Sequence, residues 1–354
     1  MEVTYEKLKK LPKVDLHLHL DGALRVKTIY ELAQHQNYKL PTDKLEELHK
    51  YVQVPENCRS LADFLKAFET FYPLLMNPDA MERVAYEVSE DCYKDNVKYC
   101  EIRFAPVLQA KGDYSMEEIL DGVLKGLAKA HYEFGIINPL ILCCYRSEPP
   151  ETSIETVKLA IKYRNRGIVA IDLAGDEEHY PAEIHKEAFK LAQEHNFPIT
   201  VHAGEAGAPK NIREAIEILG AQRIGHGIRI IEDKELYEYV KEKQIPLEMC
   251  LTSNVQTTVA KDYETHPFKR CFQDGLRVTI NTDDPGVSNI TLTDEYFLLK
   301  KYYNFGWQEI IKVLVNGIES SFTTEERKTK LKQEFEEEIK ELLGDEYNSI
   351  KQYF

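Results

Sequence analysis

Short apolar runs recur along the chain, each followed by a polar or glycine-containing turn and then by a stretch of helical hydrophobic period. The strand-sized runs lie at 13–19, 98–105, 138–145, 168–173, 197–202, 222–226, 246–250 and 276–282. Amphipathic stretches separate them, at 116–134, 154–166, 182–195, 210–219, 233–243 and 265–274. Strands that alternate with helices imply βαβ crossovers and a parallel sheet, and eight such units predict an α/β fold closed into a (β/α)8 TIM barrel.

Two stretches depart from that repeat. Residues 24–96 form a helical insertion after the first strand, with helical runs at 24–36, 43–51, 60–72 and 79–95. A segment following a barrel strand sits at the catalytic mouth, where it can serve as a lid. Within it Leu61, Phe64, Leu65 and Phe68 are spaced three and four apart, an apolar helix stripe. That stripe reads equally as a core face or as a surface over a substrate, and Leu61, Phe64 and Leu65 are candidate substrate contacts. The second departure is a set of extra C-terminal helices, of which 324–343 is charged with a thin apolar stripe suited to packing. With no repeat, low-complexity tract or linker, residues 1–354 read as a single domain.

The first strand carries chemistry. In PKVDLHLHLDG (12–22) a period of two places Asp15, His17 and His19 on one face and Leu16, Leu18 and Leu20 on the other. Barrel sites lie at the carboxyl ends of strands. The other strand ends hold Asp172, Gly175 and Asp176 (DLAGDE), His202 and Glu205 (VHAGE), His226 (IGHG), and Asp283 with Asp284 (NTDDP). Three imidazoles and one carboxylate around an open water position make a catalytic zinc site, for which His17, His19, His202 and Asp283 are the candidates. His226 is then the candidate to orient or deprotonate the water, and Glu205 the candidate acid for the substrate. The histidines at 35, 49, 131, 179, 185, 195 and 266 fall in helix-like or loop contexts and read as surface or packing residues.

HLHLDG, DLAGDE, VHAGE, GHG and NTDDP, in this order and over nearly the whole chain, resemble the adenosine/AMP deaminase family of the metal-dependent amidohydrolases. The resemblance implies one Zn²⁺ per chain on His17, His19, His202 and Asp283. It implies that Glu205 protonates purine N1 and that His226 stabilises and orients the hydroxide. Asp284 would contact the attacking hydroxide region and N7, Gly175 would offer its backbone to N3, and Asp21 would reach the ribose 5′-hydroxyl; His19 lines the same pocket. The expected reaction is hydrolytic deamination of adenosine and 2′-deoxyadenosine in purine salvage. Two-metal relatives commonly carry a bridging Lys or Glu at the end of strand four, and IVAIDLAG offers no lysine there. The zinc deaminase plan with P-C-x-x-C is absent.

Charge and cysteine content narrow the setting. A formal net charge of −15 opposes a nucleic-acid partner, because phosphate binding rests largely on Lys and Arg. No apolar run approaches the ~20 residues of a membrane helix. The amino terminus has charge but no apolar signal region, so a cytoplasmic enzyme with a small-molecule nucleoside substrate is expected. Seven cysteines without C-x-x-C spacing read as reduced packing residues. Rival readings are a deaminase of adenine, AMP or N6-methyl-AMP, and a non-catalytic growth-factor-like homologue. An anionic Asp21 favours a free 5′-hydroxyl over a phosphate.

Overall fold

Among the described residues, eight strands form where the apolar runs lie: β1 (Lys13–His19), β2 (Val97–Phe104), β3 (Leu140–Tyr145), β4 (Ile168–Ala174), β5 (Thr200–Ala203), β6 (Arg223–His226), β7 (Leu247–Met249) and β8 (Val278–Ile280). This computed structural model describes residues 2–55, 58 and 61–354, without the side chains at 61–63 and 65. Strands β1 to β4 pair in parallel, as do β5 to β8. A bridge between Ile171 and Ile199 joins β4 to β5, and one between Leu18 and Asp283 joins β8 to β1. At that second seam His19 N–H donates to Asp283 O (2.7 Å) and Asp283 N–H donates to His17 O (2.8 Å). Residues expected to do chemistry thus close the barrel with their own backbones.

Both faces of β1 are buried, for different reasons. Leu16 and Leu18 join the apolar layer between strands and outer helices. The barrel interior is charged instead: Glu101, Arg103, Asp172, Arg223 and Glu248 are all at most 1% exposed.

The connection from β1 to β2 contains Val26–His35, Leu45–Val52, Leu61–Glu69 and Pro78–Lys94. Its last helix is anchored on Met116–Phe134, a helix with a Ser115/Glu118 capping box. The two backbones approach closely at Gly122 and Gly126, where an added Cβ would lie 2.3 Å from Pro78 O and 2.1 Å from Glu82 O. After β8, Trp307–Ser320 packs on β8 and β1, and Glu325–Leu343 buries Leu331, Phe335, Ile339 and Leu343.

The pattern of apolar positions does not announce three short helical turns, Pro106–Gln109, Leu251–Gln256 and Pro285–Ser288, which follow β2, β7 and β8. Each is too short for a helical period to register. The cysteines at 92, 100, 143, 144, 250 and 271 are buried and free. Among the described residues, no helix is long and apolar enough to cross a membrane.

Candidate active site

The carboxyl ends of β1, β5, β6 and β8 converge on one point. His17, His202, His226 and Asp283 each bring one donor atom within 4.8 Å of the others. His19 joins them, with Nε2 3.1 Å from His202 Nε2 and 3.4 Å from Asp283 Oδ1. His17 Nε2 lies 3.2 Å from the same Asp283 oxygen. Donors about 2.0–2.1 Å from a tetrahedral metal stand roughly 3.3 Å apart, so these separations are those of a ligand cage. Among the described residues, His17 Nε2 is buried with no hydrogen-bond partner, a lone pair aimed into the cluster. The donor set therefore fits a metal ion. Both His226 (φ +59°) and Asp283 (φ +63°) hold left-handed backbone conformations, a cost of order 1–3 kcal/mol that only surrounding structure sustains.

The charged barrel interior lies beneath and orients these rings. His17 Nδ1 is 2.8 Å from Glu248 Oε2, and His202 Nδ1 is 2.8 Å from Asp172 Oδ2. The hydrogen bond from His17 Nδ1 to Glu248 turns the His17 Nε2 lone pair toward the metal position, and His202 meets Asp172 as a close charge contact. Glu248 in turn takes Arg103 Nη2 (2.8 Å), Arg223 Nε (2.6 Å) and the Thr200 hydroxyl (2.9 Å). Arg103 Nη1 reaches Asp172 at 3.0 Å. Burial alone would raise both carboxyls, but Arg103 and Arg223 hold Glu248 well below its usual range, and His202 and Arg103 do so for Asp172. Arg103 and Glu248 lie outside the strand-end motifs; a charge inside an apolar strand, in EIRF and in PLEMC, is the sequence signal that would have found them. Glu248→Gln is expected to weaken metal binding by roughly 10–100-fold, measured by competition with a chelator.

Glu205 follows β5, with Oε2 3.6 Å from His226 Nε2. Burial, Asp283 and Glu177 push its carboxyl well above the ordinary range, the state an acid needs. Its loop is held by Glu177, whose carboxylate accepts the backbone N–H groups of Gly204, Glu205 and Gly207 at 2.7–2.8 Å and the Asn211 amide at 3.0 Å. Asp284 is pushed up by burial and then by Asp283, Asp21 and Glu205. Its Oδ1 lies where a Cβ on residue 22 would stand, 1.7 Å away, so Gly22 of HLDG makes room for NTDDP.

Asp21 is buried, which raises its carboxyl, and its Oδ2 accepts from Tyr72 Oη (2.6 Å) and Gln109 Nε2 (3.3 Å). Tyr72 belongs to the connection from β1 to β2 and Gln109 to the turn after β2, so neither is legible from a strand-end motif. Gly175 follows directly on β4 with φ +99°. Phe64 is 2% exposed and packs on Phe68, with ring centroids 6.0 Å apart, as a core side chain does. The side chains of Leu61 and Leu65 lie outside the described residues.

A histidine–aspartate cage fit for a metal at the strand ends of a parallel barrel, beside a buried carboxyl with a raised pKa, defines a metal-dependent hydrolase site. A family model described as adenosine deaminase matches residues 12–338. The chain is 44% identical over 328 residues to adenosine deaminase of Clostridium kluyveri, covering 93% of this chain and 94% of that one. It is similar in structure to adenine deaminase of Arthrobacter aurescens, with TM-score 0.86, 28% identity and coverage of 93% and 99%. An amidohydrolase from Burkholderia ambifaria with bound zinc has TM-score 0.87 at 25% identity, with coverage of 98% and 97%. The chain belongs to the adenosine deaminase family.

Proposed function

We propose that the site hydrolyses adenosine and 2′-deoxyadenosine to inosine and 2′-deoxyinosine with release of ammonia. The observation that carries this reading is the meeting of the histidine–aspartate cage with the buried Glu205 carboxyl, 3.6 Å from His226, whose pKa burial raises. The 44% identity to an adenosine deaminase, against 28% to an adenine deaminase, supports the nucleoside over the free base.

One zinc ion would sit on His17, His19, His202 and Asp283, and the zinc-bound relative supports that choice of metal. When bound, it lowers the pKa of a coordinated water from 15.7 towards about 7. His19 rather than His226 completes the set, because its Nε2 stands at ligand-edge distances from two other donors. His226 Nε2 is 3.8 Å from Asp283 and is turned to Glu205. The chain's own groups do the rest. Glu205 delivers a proton to purine N1, so that N1 accepts the electron pair displaced when water oxygen adds to C6. Collapse of that tetrahedral carbon to the C6 carbonyl expels the amino group as ammonia; of the two protons the water loses, one goes to the departing nitrogen and the other restores Glu205. Asp284 faces the attacking oxygen and N7, Gly175 offers backbone to N3, and His226 orients the oxygen.

Asp21 reads the ribose 5′-hydroxyl, held in place by Tyr72 and Gln109. A hydrogen bond of this kind is worth about 1.5–3 kcal/mol, so Asp21→Ala is expected to lower kcat/KM for adenosine by roughly 10- to 150-fold. 5′-Deoxyadenosine should lose far less from the same change. Equal losses would assign Asp21 to the fold instead. The insertion at 24–96 acts as a lid on this pocket within a single 1–354 domain. A cytoplasmic setting in purine salvage completes the proposal, supported by six buried free thiols. The deciding experiment is a panel of adenosine, 2′-deoxyadenosine, adenine, AMP and N6-methyl-AMP followed by ultraviolet absorbance; turnover of adenine or a nucleotide above adenosine overturns the assignment.

A further inference from the structure

Asn254 lies in the helical turn after β7 and His266 in the segment beyond it, both buried and both outside the strand-end motifs. They join His226 to a backbone amide through an unbroken chain of hydrogen bonds. Phe268 N lies 3.1 Å from His266 Nδ1, His266 Nε2 lies 3.1 Å from Asn254 Oδ1, and Asn254 Nδ2 lies 3.1 Å from His226 Nδ1.

The direction of this chain follows from its first member. A backbone amide can only donate, so His266 Nδ1 accepts and the ring proton sits on Nε2. That proton goes to Asn254 Oδ1, which leaves the side-chain N–H of Asn254 for His226 Nδ1. Burial pushes His266 down to about 3, so its ring is neutral at working pH and the order cannot reverse by protonation. A neutral His226 held this way carries its proton on Nε2. That atom faces the site, 3.6 Å from Glu205 Oε2 and 3.8 Å from Asp283 Oδ2, a gap that an oxygen can fill.

We propose that His266 and Asn254 are positioning residues that lock His226 as its Nε2–H tautomer, so that it offers an N–H to the oxygen attacking the purine. The proposal rests on the deaminase reading for the identity of that oxygen, and on geometry alone for the tautomer. It also separates Asn254 from a simple packing residue. An aspartate of the same shape has no N–H to give, accepts from both rings, and turns His226 to Nδ1–H.

The test uses the metal-loaded full chain labelled with ¹⁵N-histidine. Long-range ¹⁵N–¹H correlation spectra of the parent should show His226 protonated at Nε2 and bare at Nδ1. Asn254→Asp should reverse that pattern and lower kcat by roughly 10–100-fold, the range for lost outer-shell partners, with KM changed far less. His266→Phe should lose turnover, and His266→Gln, whose amide can still donate to Asn254, should recover most of it. A parent His226 protonated at Nδ1, or an Asn254→Asp variant with parental kcat, overturns the relay. A parent with the Nε2–H ring that releases no ammonia from adenosine would support the relay and sink the substrate reading, so the two failures are distinct.

Discussion

Single replacement of His17, His19, His202 or Asp283 by alanine is expected to abolish deamination, with the metal lost before the fold. Each change leaves the cage one donor short, and metal affinity depends on the full ligand set held in place. Elemental analysis of the parent should find close to one metal per chain, and the variants well under that. His17→Ala carries a further cost, because Glu248 loses the ring it orients and a buried carboxylate is left with a gap beside it. A modest fall in melting temperature is therefore expected for His17→Ala, and less for the half-buried His19. Two metals per chain, or full activity after exhaustive chelation, would refute a single catalytic zinc.

Glu205→Gln should keep nucleoside binding and lose chemistry by roughly 10²–10⁴-fold, the contribution of a positioned acid–base group. Glutamine preserves shape and can hydrogen-bond N1, but it has no acidic proton to deliver. The environment is built around that proton: burial, Asp283 and Glu177 all resist ionisation of Glu205. The sign for pH follows. The acid works only while protonated, so kcat/KM falls as pH rises through the raised pKa, and this alkaline loss is absent in Glu205→Gln. A variant that binds adenosine poorly but turns it over at the parental rate would make Glu205 a binding residue instead.

Much of this site was legible in the chain because strand periodicity is local. Alternation in KVDLHLH sets the faces of His17 and His19 without any knowledge of the partner strands, and β1 has the boundaries that alternation predicts. The strand-end rule for barrels then collects His202, Glu205, His226, Asp283 and Asp284 from distant segments. Tertiary structure decided what periodicity cannot encode. Glu248 and Arg103 matter only because closure places β7 and β2 on the same interior, 2.8 Å apart at their charged groups. The pairing of Asp21 with Tyr72 depends on how the β1–β2 connection folds back over the mouth. Asn254 and His266 belong to short, irregular segments whose contact with His226 is set by chain path rather than by pattern. The sequence by itself determined which side chains face the centre of the barrel, since that depends on a period of two. Which way each ring points, and which carboxyl has its pKa raised, was decided by neighbours brought together from across the chain, because tautomer and pKa respond to contacts within a few ångströms.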